Sequence, residues 1–122
     1  MNVQATTQAL PPSMMKTALY ALTLMVLVMA STGDADAEDH VVTQSNMSFS
    51  ATDLTVKVGD TVSFSNRDSM AHNVYSLSDA KTFDLGSSAP NTSKKVTLDQ
   101  PGVVDVECAL HPSMRMKIKV TQ

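Results

Sequence analysis

The sequence has few residues that can form covalent cross-links or bind metal ions. Cys108 is its one cysteine, and there are only three histidines among 122 residues. A single cysteine cannot form an internal disulfide. Cys108 is therefore an inert buried thiol, an intermolecular partner or a metal ligand.

The sequence also has no strong net charge and no long apolar run. Its formal charge is −3, which gives no electrostatic bias toward nucleic acid. The apolar stretch at 17–30 is shorter than the roughly 20 residues of a membrane-spanning helix. Lys16 precedes this stretch, and Ala35-Asp36-Ala37 follows it as a small-x-small cleavage pattern. We therefore predict a signal peptide over residues 1–37 and a mature domain over 38–122 that is not inserted in a membrane.

From Glu38 onward, apolar and polar residues alternate with the two-residue period of half-buried strands. The clearest case sets Met116, Ile118 and Val120 against Arg115, Lys117 and Lys119. Residues 78–93 are rich in Ser, Asp and Gly, which favours an irregular segment with at most a short strand at 83–85. About seven short strands with turns between them predict an all-β fold, an antiparallel two-sheet Greek-key β-sandwich.

Strand parity indicates where two reactive side chains point. His72 begins a strand and shares one face with Val74, whereas Cys108 ends another strand and shares the inward face with Val106. We therefore expect an inward thiol at a strand's end and an imidazole at a strand's start.

The segment from Cys108 to Met114 places a thiol, an imidazole and a thioether on one tight loop, with His111 in its middle. His72 can reach the same pole, because the strand that ends at Asn66 and the one that starts at His72 share an end. One Cys, two His and a weak axial Met form the ligand set of mononuclear electron-transfer copper sites. We predict one Cu(I)/Cu(II) ion per chain, bound by His72, Cys108 and His111 with Met114 as the axial ligand.

Each candidate ligand also has a simpler explanation. An inward cysteine such as Cys108 is commonly a small hydrophobe, and a methionine such as Met114 commonly fills a gap in the core. Zinc also accepts one Cys and two His, although Met is a poor zinc ligand. The copper interpretation is preferred because the four residues occur together at these intervals.

His72-Asn73-Val74 followed by Cys-x-x-His-x-x-Met resembles the blue copper proteins, or cupredoxins, and the resemblance covers nearly all of 38–122. The short interval from His111 to Met114 is most similar to the amicyanin-like branch, since plastocyanin-like members have a longer loop. The segment 72–78 is also similar to methylamine-utilisation-like periplasmic proteins. The resemblance implies a cupredoxin-type sandwich.

The resemblance also implies a role for Asn73, which in the family helps to tie the two ligand loops together by hydrogen bonding. Two positions depart from the amicyanin-like pattern: Ala71 and Leu110 stand where proline is common. Together with Met70 and Pro112, they are expected to surround the edge of His111 with apolar surface. This surface is either a docking patch for electron transfer or a shield for the copper.

Ligands and resemblance together imply a periplasmic single-electron carrier, a monomer that exchanges electrons with redox proteins such as a periplasmic cytochrome or dehydrogenase and binds no nucleic acid. Copper oxidases and nitrite reductases need further histidine clusters, so three histidines argue against an enzyme. The alternatives are a periplasmic copper-binding or copper-resistance protein without an electron-transfer partner, and a degenerate sandwich that binds nothing.

The bounds of the signal peptide stay open at this stage. Residues 1–14 contain no basic residue, so Met14 and Met15 are alternative translation starts. Cleavage after Ala37 would create a chain that begins Glu38-Asp39-His40, in which a free amine and a third-place histidine could chelate Cu(II). The simpler alternative is that His40 opens the first strand.

Overall fold

The computed structural model describes residues 36–122, which form nine strands. They are β1 (Asp39–Ser45), β2 (Ser48–Phe49), β3 (Asp53–Lys57), β4 (Thr61–Asn66), β5 (His72–Ser78), β6 (Lys81–Ser88), β7 (Ser93–Thr97), β8 (Gly102–Glu107) and β9 (Arg115–Thr121). Within this range no helix has the length and apolar character needed to cross a membrane. Nearly all of the predicted signal peptide lies outside the described residues.

The strands form two sheets, which confirms the all-β sandwich. One sheet has the order β2-β1-β4-β7 and the other β3-β9-β8-β5-β6. Both sheets are mixed, because β1 pairs with β4 and β3 pairs with β9 in parallel, whereas we predicted antiparallel pairing throughout. Antiparallel neighbours can be joined by a hairpin, but parallel neighbours need a crossover. Between β1 and β4, and again between β3 and β9, the chain crosses to the opposite sheet and returns. Such a crossover allows the second strand of each pair to run parallel to the first.

Strand β6 is the main departure from the predicted pattern. The sequence favoured a strand over 83–85 alone, but β6 is an eight-residue strand, and six of its residues pair with β5. Asn73 faces Ser87 and Tyr75 faces Asp84, so two residues of β6 oppose the single Val74 of β5. This extra residue is a β-bulge, and it allows a segment rich in turn-forming residues to remain in the sheet.

The core lies between the sheets and follows the predicted alternation. Met116, Ile118 and Val120 of β9 are buried, while the basic residues between them are exposed. The apolar core continues as far as Cys108 and Met114, each only 1% exposed. The candidate metal centre is therefore built on one end of the packed core.

Candidate metal centre

Three of the predicted ligands converge in the structure. The donor atoms of His72, Cys108 and His111 all lie within 4.8 Å of one another. The Cys108 Sγ lies 3.9 Å from the Nδ1 of each histidine, and the two Nδ1 atoms are 3.1 Å apart. One ion could contact all three atoms, so the spacing fits a mononuclear site.

The ends of three strands place these side chains. His72 is the first residue of β5, Cys108 directly follows β8, and Met114 directly precedes β9. The connecting loop is closed by two backbone hydrogen bonds: the Met114 amide donates to the His111 carbonyl at 2.9 Å, and the Cys108 amide donates to the Met114 carbonyl at 3.2 Å. The antiparallel pairing of β8 with β9 therefore fixes the backbone positions of Cys108 and Met114.

His72 is oriented by a carboxylate that we did not predict from the sequence. The Asp68 Oδ2 lies 2.6 Å from the His72 Nε2. Hydrogen bonds from the Met47 amide and from His72 lower the pKa of Asp68, which is therefore ionised and accepts a hydrogen bond from the His72 Nε2–H. The other ring nitrogen of His72, Nδ1, is left on the side that faces Cys108. Metal-bound histidines usually donate a hydrogen bond from their second ring nitrogen in this way. The aspartate four residues before His72 is the feature of the sequence from which this contact could have been predicted.

Asn73 links the two ligand loops, as the resemblance implied. Its backbone amide donates to the Cys108 Sγ at 3.4 Å, and its side-chain Oδ1 accepts a hydrogen bond from the Ala109 amide at 3.3 Å. Its Nδ2 donates to Asp84 Oδ1 at 2.7 Å. Asp84 was not predicted, because it lies in the segment that the sequence presented as irregular.

The predicted apolar patch lies at the surface. Met70 and Leu110 are 41% and 56% exposed, and Pro112 is also exposed. His111 is half-buried, whereas His72 and Cys108 are buried. Of the two candidate histidine ligands, His111 is therefore the one that solvent or another protein can reach.

His40 occupies a different position from the predicted ligands. It lies in β1, and its Nε2 is 2.9 Å from the Asp60 Oδ2. The Glu38 amide donates to the Asp60 Oδ1 at 2.9 Å. The Glu38 nitrogen is thus already engaged, and residues 39 and 40 are paired with β4, so the structure favours the simpler interpretation of His40 as part of the first strand.

The donor set fits copper by its chemistry. A thiolate is a soft ligand suited to Cu(I), and imidazole binds copper in both common oxidation states. Buried Met114 stands on the same loop as Cys108 and His111, where a thioether is the expected weak fourth ligand of such a site.

Comparison with known proteins identifies the family. Residues 37–122 match the model of the copper binding proteins of the plastocyanin/azurin family. The chain therefore belongs to this family, the cupredoxins. Together with the convergence of His72, Cys108 and His111, family membership identifies the cofactor as a single type 1 copper ion.

Curated relatives place the chain near a particular branch. It is 34% identical to the methylamine utilization protein MauL of Methylorubrum extorquens over 87 residues, which cover 70% of this chain and 76% of the relative. It is 37% identical to amicyanin of Paracoccus denitrificans over 87 residues, which cover 66% of this chain and 63% of that protein. The expected similarity to the amicyanin-like branch is confirmed.

Solved structures agree with this placement. A methionine-to-alanine variant of amicyanin with Cu(I) superposes with a TM-score of 0.64 at 30% identity, covering 68% of this chain and 82% of that one. A copper-containing nitrite reductase from Thermus scotoductus has a TM-score of 0.65 at 23% identity, covering 69% of this chain but only 22% of the enzyme. The second similarity concerns the fold alone.

Proposed function

We propose that this chain is a periplasmic single-electron carrier that, after removal of a signal peptide, binds one copper ion through His72, Cys108, His111 and Met114. The observation that carries the proposal is the convergence of one thiol and two imidazole Nδ1 atoms within 4.8 Å at the end of a packed core. Copper bound there supplies a one-electron Cu(I)/Cu(II) couple.

The surrounding residues support rapid electron exchange because they hold the donors in place. Asp68 fixes the ring of His72, and Asn73 joins the Cys108 loop to the start of β5. Ligands that are already held by such outer contacts need little rearrangement when the charge of the site changes. A site built only to sequester copper has no need of this rigidity.

The position of the clefts also supports a carrier rather than an enzyme. Two clefts in the described residues lie on the outer face of the five-stranded sheet, one beside Tyr75 and Leu77 and the other beside Arg115 and Lys117. Neither is lined by a candidate ligand. A molecule held in either cleft would therefore lie against residues other than the four candidate ligands.

Electrons are proposed to pass through the imidazole of His111. This ring is half-buried, and the exposed side chains of Leu110 and Pro112 flank it along the chain. An apolar surface of this kind allows a redox protein to approach closely without desolvating charges. The proposed partners are redox proteins such as a periplasmic cytochrome or dehydrogenase.

Repeated redox cycling tests the proposal against copper sequestration. The purified protein from residue 38 onward, loaded with one copper equivalent, is reduced and reoxidised while its visible spectrum and bound copper are measured. We expect a reversible potential and full retention of copper over many cycles. A colourless Cu(I) complex that never reoxidises, or that loses copper on oxidation, would instead support a copper-binding protein without an electron-transfer role.

A substitution in the exposed surface beside His111 tests whether electrons pass through its imidazole. Leu110→Glu introduces a charge beside His111, whereas Val41→Glu introduces one at a distant exposed position in β1. We expect Leu110→Glu to slow electron exchange with a small redox protein while leaving the spectrum unchanged, and Val41→Glu to alter neither. Equal rates in the two variants would contradict the route through His111.

A further inference from the structure

The β-bulge in β6 lies directly beside the strand that begins with His72. At this point Leu85 and Gly86 face the single residue Val74, and Gly86 has a φ of 70°. This φ lies in the left-handed region that glycine adopts without a steric penalty. Bulges are common next to functional sites, where they redirect side chains.

Asp84, the residue before the bulge, makes two contacts through one oxygen. Its Oδ1 accepts a hydrogen bond from the Gly86 amide at 2.8 Å and another from the Asn73 Nδ2 at 2.7 Å. The first contact stabilises the bulge, and the second reaches across to β5. Lys94 reinforces the bulge, since its Nζ donates to the Leu85 carbonyl at 2.8 Å.

The contact with Asp84 determines which way the amide of Asn73 faces. A side-chain amide has one donating and one accepting end. Because an ionised carboxylate can only accept, the nitrogen of Asn73 must point to Asp84 and the oxygen must point away from it. That oxygen is the acceptor for the Ala109 amide at 3.3 Å, directly after Cys108.

We propose that Asp84 is a positioning residue for the copper centre, which acts through Asn73 to hold the Cys108 loop. The predicted effect on copper rests on the proposed function. The chain of hydrogen bonds from Asp84 to the Cys108 loop does not, because it joins residues of this protein alone. Within residues 36–122, the hydrogen bonds of the Asp84 side chain go to Asn73 and Gly86 and to none of the four candidate ligands. Its influence on the thiolate passes through the Asn73 side chain and the Asn73 amide, which donates to the Cys108 Sγ at 3.4 Å.

Two substitutions at this position separate geometry from charge. Asp84→Asn keeps an oxygen that accepts from both Gly86 and Asn73 but removes the negative charge. Asp84→Ala removes the acceptor as well. Asp79→Ala is the matched control, since Asp79 is an exposed carboxylate in the turn between β5 and β6.

Amide hydrogen exchange at Ala109 is the first readout, measured in the Cu(I)-loaded protein and in the protein without metal. We expect Asp84→Ala to accelerate exchange by about five- to tenfold, the effect of losing one intramolecular hydrogen bond. Asp84→Asn and Asp79→Ala should leave the rate within about twofold of the original. Unchanged exchange in Asp84→Ala would overturn the proposal.

The reduction potential is the second readout. Hydrogen bonding around the cysteine sulfur tunes the potential of such centres, and a donor to the thiolate favours the reduced state. We expect Asp84→Ala to have a lower potential than Asp84→Asn, both having lost the same charge. Identical potentials would overturn the proposal. Absence of a copper chromophore in the unsubstituted protein would refute the proposed function instead, and exchange without metal would still decide the role of Asp84.

Discussion

Asp68 and His72 are joined by a contact of 2.6 Å between Oδ2 and Nε2, and this contact leaves the His72 Nδ1 facing the Cys108 sulfur. The same carboxylate accepts hydrogen bonds from the amides of Asn46 and Met47 in the turn between β1 and β2. Asp68 thus couples the orientation of a proposed copper ligand to a turn of the opposite sheet.

Removing this carboxylate should weaken copper binding. We expect Asp68→Ala to lower the copper affinity by about 10- to 100-fold, the usual effect of losing such an outer contact, because the imidazole is then free to rotate. Competition with a chelator of known affinity measures the change. Asp68→Asn retains an acceptor and should lose less affinity, whereas equal losses in the two variants would show that charge rather than orientation is important.

The role of Met114 as axial ligand is tested by replacing it with a side chain of similar volume. Met114 is 1% exposed, and replacement by leucine preserves packing at a cost below about 1.5 kcal/mol. We expect Met114→Leu to retain copper and the thiolate charge-transfer band but to raise the reduction potential, because the axial thioether that favours Cu(II) is lost. Voltammetry measures the shift. An unchanged potential would mean that Met114 only packs in the core.

Asp60 should make stability depend on pH in the acid range. Hydrogen bonds from the Glu38 amide, the His40 ring and the Lys57 amide lower its pKa from 3.8 to about 2. A carboxyl whose pKa is lower in the folded state contributes stability above its unfolded pKa, and this contribution is lost as the pH falls through the folded value.

The prediction is tested by comparing the free energy of unfolding of the unsubstituted protein with that of Asp60→Asn, both without metal. At pH 6 the unsubstituted protein should be the more stable of the two, and its advantage should shrink between about pH 4 and pH 2 as the carboxyl becomes protonated. Urea unfolding at several pH values measures the difference. A constant difference across this range would show that the charge of Asp60 contributes nothing.

Gln44 is a buried side chain whose removal should stabilise the protein. It is 0% exposed, and neither its Nε2 nor its Oε1 has a hydrogen-bond partner among the described residues. An unsatisfied buried polar group costs about 1–3 kcal/mol, and leucine has a similar volume. We expect Gln44→Leu to raise the free energy of unfolding by an amount in this range, measured by urea denaturation. A decrease would reveal a partner for the amide.

Much of the fold and site could be predicted because local patterns encode them. Strand parity alone placed Cys108 inward, and the alternation in β9 gave the correct buried face. The ligand residues lie on one short loop and at one strand's start, so their convergence at 4.8 Å or less followed from a single assumption about which strand ends meet.

The remainder depended on contacts between distant segments. The parallel pairing of β1 with β4 depends on the path of the chain between sheets, which no local pattern records. Strand β6 contains residues typical of turns and is held by pairing with β5 and by the contact of Asp84 with Asn73, 11 residues earlier. The sequence-based expectation of an irregular segment failed because tertiary pairing outweighed local propensity.

The most direct test of the central claim is the visible and electron paramagnetic resonance spectrum of the Cu(II)-loaded protein, compared with that of Cys108→Ser. We predict an intense thiolate-to-copper band with one copper per chain in the original protein, and loss of that band in Cys108→Ser while the far-UV circular dichroism stays that of a β-sandwich. A spectrum without the band, or one that is the same in both proteins, would contradict the assignment of Cys108 as a copper ligand.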